Sequence, residues 1–332
     1  MKIAKYWDKL SKNKVQCKLC PRDCKINENK IGFCRVRKNI KGVLYSLVYG
    51  KCISTAIDPI EKKPLFNFMP GTKALSIGTV GCNLKCKHCQ NWEISQSEII
   101  EGKNMTPKEI IDMAIKYKCE SIAYTYNDPI VFFEFVLDCA KLAKKKGIKN
   151  IIVCNGFINQ EPLKEWLKYI DAANIDYKGD DEFYRKITIA WLIPVQESIK
   201  TIHESKCFLE LTNLLIPGLN DSQKQIKKMC DFIHENIGDR VPLHISRFFP
   251  YFQLKNIEPT SEKSLLKAKK IAEKIGLKYV YIGNLETEYG ENTHCPECGK
   301  IVIKRNRFKV LEQNLIENEC KFCESVVDVM VD

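Results

Sequence analysis

Three cysteines in the stretch GCNLKCKHCQNW carry the clearest chemistry of the sequence. Cys82, Cys86 and Cys89 lie close together, and this stretch contains no fourth cysteine. An iron–sulfur cluster normally takes four cysteine ligands, and a structural metal site is closed by four. Three thiolates would leave one iron open to a substrate or a cofactor, as a catalytic zinc keeps one position open. His88 adjoins Cys89, and we expect its side chain to point away from the same centre.

Two other groups of cysteines each offer four thiolates. The C-terminal group forms two CxxC pairs about 21 residues apart, which is typical of a zinc ribbon: Cys295, Cys298, Cys320 and Cys323. The N-terminal group is spaced less regularly, and its spacing favours zinc, with an auxiliary iron–sulfur cluster as the alternative: Cys17, Cys20, Cys24 and Cys34. The other cysteines stand singly in apolar or helical contexts, where a small buried hydrophobe is expected.

Composition limits the class of protein that these cysteines can serve. The chain has 332 residues, of which 45% are hydrophobic, and this predicts one large domain with small appendages. No long apolar run or signal-peptide core is present, so we expect a cytoplasmic protein without a membrane span. Thiols in that compartment are reduced, which favours metal binding over disulfides. The net charge of +12 comes from lysines spread over helix faces, so a nucleic-acid partner is not expected.

The elements that must position the three-cysteine loop are repeated βα units. From about residue 74 to 284, short β-rich runs alternate with amphipathic helical segments, which predicts a parallel sheet. The predicted strands are ALSIGT (from Ala74), SIAYTY (from Ser121), NIIVCN (from Asn150), DAANIDY (from Asp171), FLELTNLLI (from Phe208), PLHISRFF (from Pro242) and KYVYIG (from Lys278). Six or seven units are too few for a closed eight-stranded barrel, so a partial barrel and a doubly wound sheet both fit. In either, the site lies at the carboxyl ends of the strands.

Helix signals separate these strands. Thr106 and Glu109 form a capping box, with proline at the first helical position. Asp221 is the expected cap of a later helix that Gly238 closes, and another helix is expected to end at Gly276.

The spacing Cys82-x3-Cys86-x2-Cys89 resembles the signature of radical S-adenosylmethionine (radical SAM) enzymes. The resemblance implies that the three cysteines bind a [4Fe-4S] cluster whose open iron is chelated by S-adenosylmethionine. It further implies that one electron from the reduced cluster cleaves a carbon–sulfur bond and yields methionine and a 5′-deoxyadenosyl radical. That radical would abstract hydrogen from a substrate. The family usually has an aromatic residue where this chain has His88.

Polar residues at later strand ends match the same family in order. YTYNDP resembles the loop that receives the amino group of the cofactor, although the usual Gly-Gly-Glu-Pro is absent. Asp176 and Lys178 resemble the Asp-x-Lys of glycyl-radical activases. The resemblance implies these cofactor-binding residues: Tyr124, Asn127, Asp128, Asn155, Asp176, Lys178, Thr212 and His244. The candidate catalytic residues are Asp176, Lys178, His244 and Arg247, of which Arg247 could clamp a carboxylate. Helix capping by the Asp and Asn residues, and a surface ion pair for Arg247, are the alternatives.

Segments outside the core extend the resemblance over nearly the whole chain. CKLCPRDCKI, GFCRVR, AIDPIEKKPLFNFMPG and CPECGK are similar to the radical SAM member of the AmmeMemoRadiSam system, a group akin to pyruvate formate-lyase activating enzymes. This implies a partial (β/α)6 barrel over 71–285, a cysteine-rich module over 1–70 and a zinc-ribbon-like module over 286–332. It also implies an external electron donor such as ferredoxin or flavodoxin, and a protein as one class of substrate.

Two other functions compete with a radical SAM enzyme. The first is a non-catalytic metalloprotein that binds nucleic acid or protein, and the second is an electron-transfer protein. Only the enzyme predicts that S-adenosylmethionine perturbs the electronic spectrum of the cluster.

Overall fold

A computed structural model describes residues 1–287 and 290–331, and an eight-stranded sheet forms its centre. Seven strands of this sheet run parallel, and the antiparallel strand β8 pairs with β9 at one edge. Before the sheet come short strands at the N-terminus: β1 Lys2–Ile3, β2 Trp7–Lys9, β3 Val15–Cys17, β4 Lys25–Ile26, β5 Arg37–Ile40, β6 Val43–Ser46 and β7 Lys51–Cys52. The next strands are β8 Ser54–Pro59, β9 Lys73–Gly78, β10 Lys103–Asn104, β11 Ser121–Tyr124, β12 Lys149–Cys154, β13 Ala172–Asp176, β14 Phe208–Leu215, β15 Leu243–Arg247 and β16 Val280–Gly283.

The parallel strands follow one another in the order of the chain, from β9 through β11 to β16. A doubly wound sheet reverses its strand order at a switch point, so that alternative is wrong for this chain. Because β8 and β16 remain separate edges of the sheet, the strands form an open, partial barrel. All seven predicted parallel strands are present, and most are shorter than the apolar runs that predicted them.

Helices connect the parallel strands and carry the predicted end signals. They are α1 Trp92–Ser95, α2 Pro107–Lys116, α3 Phe133–Lys145, α4 Gln160–Trp166, α5 Asp181–Phe183, α6 Ile193–His203, α7 Gln223–Asn236 and α8 Glu262–Ile275. The capping box of Thr106 and Glu109 begins α2, and Gly276 ends α8 in a left-handed conformation. The prediction for α7 was wrong by one residue. Ser222 caps this helix, because the Asp221 carboxylate accepts from the Gly218 N–H instead.

The C-terminal segment packs against the amino ends of the barrel strands. Its strands are β17 Thr293–His294, β18 Ile301–Asn306, β19 Lys309–Gln313, β20 Leu315–Ile316 and β21 Glu319–Cys320. Met330 forms a parallel bridge with Phe68, so the chain end pairs with the segment that precedes β9. The domain ranges 1–70, 71–285 and 286–332 stay predictions, and residues 288, 289 and 332 of the last range lie outside the described residues.

A buried carboxylate fixes the segment that precedes β9 beneath the barrel. Glu210, near the start of β14, accepts hydrogen bonds from the backbone N–H groups of three consecutive residues, 66 to 68. Its other partner is His244, whose Nε2 lies 2.6 Å from the carboxylate. Buried carboxylates need such a full set of partners, so this network closes the amino-terminal end of the barrel.

Candidate functional site

The three-cysteine loop follows β9 at the carboxyl edge of the sheet and packs against the N-terminal module. Gly81, immediately before Cys82, has φ +92°. A Cβ atom at this position would lie 2.5 Å from a methyl carbon of Val36 and 2.9 Å from the carbonyl oxygen of Cys34. Only glycine allows both this backbone angle and this close approach. The N-terminal module therefore helps to set the path of the loop.

The loop faces a cavity of about 230 Å³. Its lining includes the three cysteines, His88 and residues from the carboxyl ends of several strands. Five predicted polar residues lie in this wall: Asn127, Asn155, Asp176, Lys178 and Thr212. Neighbouring strands bring them together, since Asp176 and Thr212 are register partners on β13 and β14.

Hydrogen bonds hold several of these side chains in place. Asn155 Nδ2 donates to Asn83 Oδ1 at 2.8 Å and lies 3.9 Å from the sulfur of Cys82. Lys178 Nζ lies 2.7 Å from the Asp176 carboxylate. Thr212 donates its hydroxyl proton to Asn174 Oδ1 at 2.8 Å. The cavity thus presents fixed polar groups beside the thiols.

The surroundings of two cavity residues keep Lys178 charged and His88 neutral. Burial alone would lower the pKa of Lys178, but the Asp176 carboxylate and Cys86 raise it by more, so the amine stays charged. Burial, together with the charge of Lys178, lowers the pKa of His88 to about 3. The imidazole is therefore neutral at physiological pH.

The wall suits a cluster with an open position and a polar cofactor. The ligand atoms of Cys82, Cys86 and Cys89 do not lie within 4.8 Å of one another, whereas a single tetrahedral ion would gather them. Spread thiols suit a cluster in which each cysteine binds a different iron. Within the described part of the chain, His88 Nδ1 and Asn127 Oδ1 are buried without a hydrogen-bond partner. Unsatisfied buried polar atoms in a cavity wall are typical of a site that receives a ligand.

Four predicted residues do not line this cavity. Tyr124 is buried, and its hydroxyl donates to Asn150. Asp128 caps the short 3-10 helix Pro129–Phe132 and accepts from the Asn155 N–H at 2.8 Å.

His244 lies in the Glu210 network beneath the barrel. Arg247 donates from Nε to the Thr260 carbonyl oxygen and lies over the ring of Phe249. Asp128 therefore caps a helix, which is the alternative role that the sequence analysis gave to the Asp and Asn residues. Burial raises the pKa of Asp128 to about 7, against the lowering effect of its N–H donors.

Sequence reasoning also missed some residues of the cavity wall. Tyr126 and Asn284 line it, and both have positive φ, at +75° and +59°. Non-glycine residues in that region are uncommon and concentrate at functional turns. Only the position of Tyr126 in the YTYNDP segment could have indicated one of them in advance.

The C-terminal cysteines form a compact group of a different kind. The sulfurs of Cys295 and Cys323 are 3.6 Å apart, and those of Cys298 and Cys320 are 3.8 Å apart. A tetrahedral zinc–thiolate site with bonds of about 2.3 Å places its sulfurs about 3.8 Å apart. Within the described ranges 1–287 and 290–331, no other three His, Cys, Asp or Glu side chains bring their ligand atoms within 4.8 Å. The four cysteines therefore form a site for one metal ion.

Comparisons with known proteins agree with this fold and this cysteine loop. The model of the radical SAM superfamily matches residues 76–233. An uncharacterized protein of Methanocaldococcus jannaschii is 44% identical over the full length of both chains. The pyruvate formate-lyase-activating enzyme of Clostridium pasteurianum is 25% identical over 46% of this chain and 66% of that enzyme. The solved structure of TYW1 with a lysine-pyruvate adduct bound is 17% identical, with a TM-score of 0.50, and covers 70% of this chain and 87% of that one.

Residues 76–233 form a radical SAM domain, and the chain is homologous to pyruvate formate-lyase-activating enzymes. It is a distant homologue of glycyl-radical activases. Within the described residues, no helix combines the length and the apolar character that crossing a bilayer requires.

Proposed function

We propose that this protein is an enzyme that reductively cleaves S-adenosylmethionine at a [4Fe-4S] cluster bound by Cys82, Cys86 and Cys89. One observation carries the proposal: the three thiols share a cavity wall with polar groups from neighbouring strand ends. When bound, the reduced cluster supplies the electron that breaks a carbon–sulfur bond of S-adenosylmethionine and yields a 5′-deoxyadenosyl radical.

The residues of the cavity wall are suited to holding the cofactor. The Lys178 ammonium, kept charged by Asp176, would bind the carboxylate of S-adenosylmethionine. Asn127 Oδ1, buried without a partner, would accept from its amino group. Thr212 and Asn155 would contact the rest of the molecule from fixed positions, which lowers the entropy lost on binding.

His88 would pack against the base of the cofactor. Its ring lines the cavity, lies 5.9 Å from the ring of Phe183 and is neutral. A neutral imidazole gives a flat face with one free nitrogen for a hydrogen bond. This is the role that the family usually gives to an aromatic residue at this position.

The substrate class that we propose is a protein, and the relatives that carry activating-enzyme names support it. An aromatic pair lies beside the cavity, since Trp92 follows the lining residue Asn91 and stacks on Phe252 at 5.1 Å. Trp92 and Tyr251, the residue that precedes Phe252 in the chain, are both exposed. Exposed aromatic residues of this kind are enriched where proteins bind one another. An external donor such as ferredoxin or flavodoxin would supply the electron.

The C-terminal metal that we propose is zinc, because four thiolates at tetrahedral spacing are its usual structural site. With its metal bound, this small segment would hold its shape against the base of the barrel without a large core of its own.

Electron paramagnetic resonance of the reduced, anaerobically loaded protein tests the proposal. We expect S-adenosylmethionine to change the signal of the wild type, because the cofactor binds the open iron. Cys86→Ala should lose this response. The matched control is Cys139→Ala, since Cys139 is a lone buried cysteine in α3, and it should keep the response.

An unchanged spectrum in a fully loaded wild type would refute the proposal. An electron-transfer protein or a purely structural metalloprotein would then be the better account of the same three cysteines.

A further inference from the structure

The four N-terminal cysteines surround a cavity of their own, separate from the one described above. All four cysteines line it. Apolar side chains complete much of the wall, among them Leu19, Ile26, Phe33 and Val131. The sequence spacing alone favoured zinc for this group.

The arrangement differs from that of the C-terminal site in the same chain. There, four sulfurs lie at the spacing of a single tetrahedral ion. The N-terminal cysteines are not drawn together in this way, since no three of their sulfurs lie within 4.8 Å of one another. They stand around a space instead. Cysteines that each bind a different iron must be spread over the surface of a cluster.

The cavity also presents a donor to an anionic group. Arg37 lines the cavity and is almost fully buried. Two of its hydrogen bonds hold Glu134, yet its Nε has no partner among the described residues. A sulfur of a cluster would satisfy that buried donor.

We propose that the N-terminal module binds a second iron–sulfur cluster, with these ligands: Cys17, Cys20, Cys24 and Cys34. This proposal does not depend on the function proposed above, because it concerns a separate set of cysteines and a separate cavity. A single tetrahedral zinc ion would require the four sulfurs to move together.

The second cluster would lie directly beside the three-cysteine loop. Asn83 follows Cys82 and also lines the N-terminal cavity. Arg22 donates from Nε to the Asn83 carbonyl oxygen at 2.9 Å, and its guanidinium stacks 3.8 Å from the ring of Phe33. The charge of Arg22 acts on Cys20 and Cys24 and also on Cys82 and Cys86. A cation between the two groups would offset the negative charge of two clusters at close range.

The test uses a variant that cannot bind the first cluster. The full chain with Cys82→Ala, Cys86→Ala and Cys89→Ala is purified without oxygen and loaded with iron and sulfide. We expect two to four irons per chain, with an equal amount of sulfide, and the Mössbauer spectrum identifies the cluster type. Adding Cys24→Ser should remove at least half of this iron. The matched control Cys298→Ser, in the other four-cysteine group, should remove one metal equivalent and leave the iron in place.

Zinc in place of iron would overturn the proposal, and so would iron that Cys24→Ser leaves unchanged. If Cys24→Ser fails to fold, the Mössbauer spectrum of the parent variant still decides the question. A signal of sulfide-bridged iron supports the second cluster, and its absence contradicts it. If the triple variant keeps this iron but S-adenosylmethionine leaves the EPR signal of the wild type unchanged, only the function proposed above is refuted.

Discussion

Gly81→Ala should destabilise the protein and weaken binding of the cluster at Cys82, Cys86 and Cys89. The left-handed backbone at this position costs an L-residue about 1–2 kcal/mol. The new Cβ would also meet Val36 at 2.5 Å and the carbonyl oxygen of Cys34 at 2.9 Å. Overpacking of this kind costs about 1–3 kcal/mol more. Because the contacted atoms belong to the N-terminal module, relief of the clash must shift that module or move Cys82.

Gly147→Ala is the matched control, because Gly147 has φ +70° and nothing within 4 Å of an added Cβ. It should cost only the backbone term, about 1–2 kcal/mol. Urea titrations of the anaerobically loaded proteins measure the free energy of unfolding, and iron analysis measures cluster binding. We expect a larger stability loss and a lower iron content for Gly81→Ala alone. Equal losses in the two variants, with full iron content in both, would refute the account of how the N-terminal module sets the loop.

Three other changes test different parts of the structure. Lys178→Met should weaken S-adenosylmethionine binding about 10- to 150-fold, which corresponds to about 1.5–3 kcal/mol for a hydrogen bond to a charged group. The iron content of this variant should stay constant. The matched control Lys186→Met removes an exposed lysine, and its affinity for S-adenosylmethionine in calorimetric titration should equal that of the wild type. Equal weakening in both variants would contradict a direct contact. Glu210→Gln should lower the free energy of unfolding by at least about 2 kcal/mol, because the buried carboxylate accepts from three backbone N–H groups and contacts His244. An unchanged urea midpoint would show that this network does not stabilise the fold. Cys298→Ser should remove about one metal ion per chain and lower the thermal midpoint while 5′-deoxyadenosine formation persists, and loss of that activity would place the C-terminal metal in the chemistry.

The strand pattern of the barrel was readable in the sequence because its strands are buried on both faces. Segments such as SIAY and KNIIVC are fully or mostly buried, and continuous apolar runs are the expected signal for such strands. The order of the strands was not readable. The strand order distinguishes a partial barrel from a doubly wound sheet, and it is set by which strands pair in the folded protein.

Two of the residues that line the cavity were predicted on the strands themselves. Asp176 and Thr212 lie at paired positions on adjacent strands, and both line the cavity. His244 also lies on a barrel strand, but near its amino end, where Glu210 pairs with it beneath the barrel. That pairing joins residues from different strands and a distant loop, and no local pattern indicates it.

Spacing of cysteines predicted the groups of ligands but not their geometry. The CxxC pairs of the C-terminal segment come together as expected. The N-terminal group surrounds a cavity, which depends on packing against Asn83, Ile130 and Val131 far along the chain. Such contacts arise only in the folded protein.

Formation of 5′-deoxyadenosine tests the central claim most directly. The protein is loaded with iron and sulfide without oxygen, then incubated with a strong reductant and S-adenosylmethionine, beside Cys86→Ala. We expect the wild type to form 5′-deoxyadenosine and methionine and the variant to form neither. A fully loaded wild type that yields no more product than Cys86→Ala would contradict the assignment of reductive S-adenosylmethionine cleavage to this site.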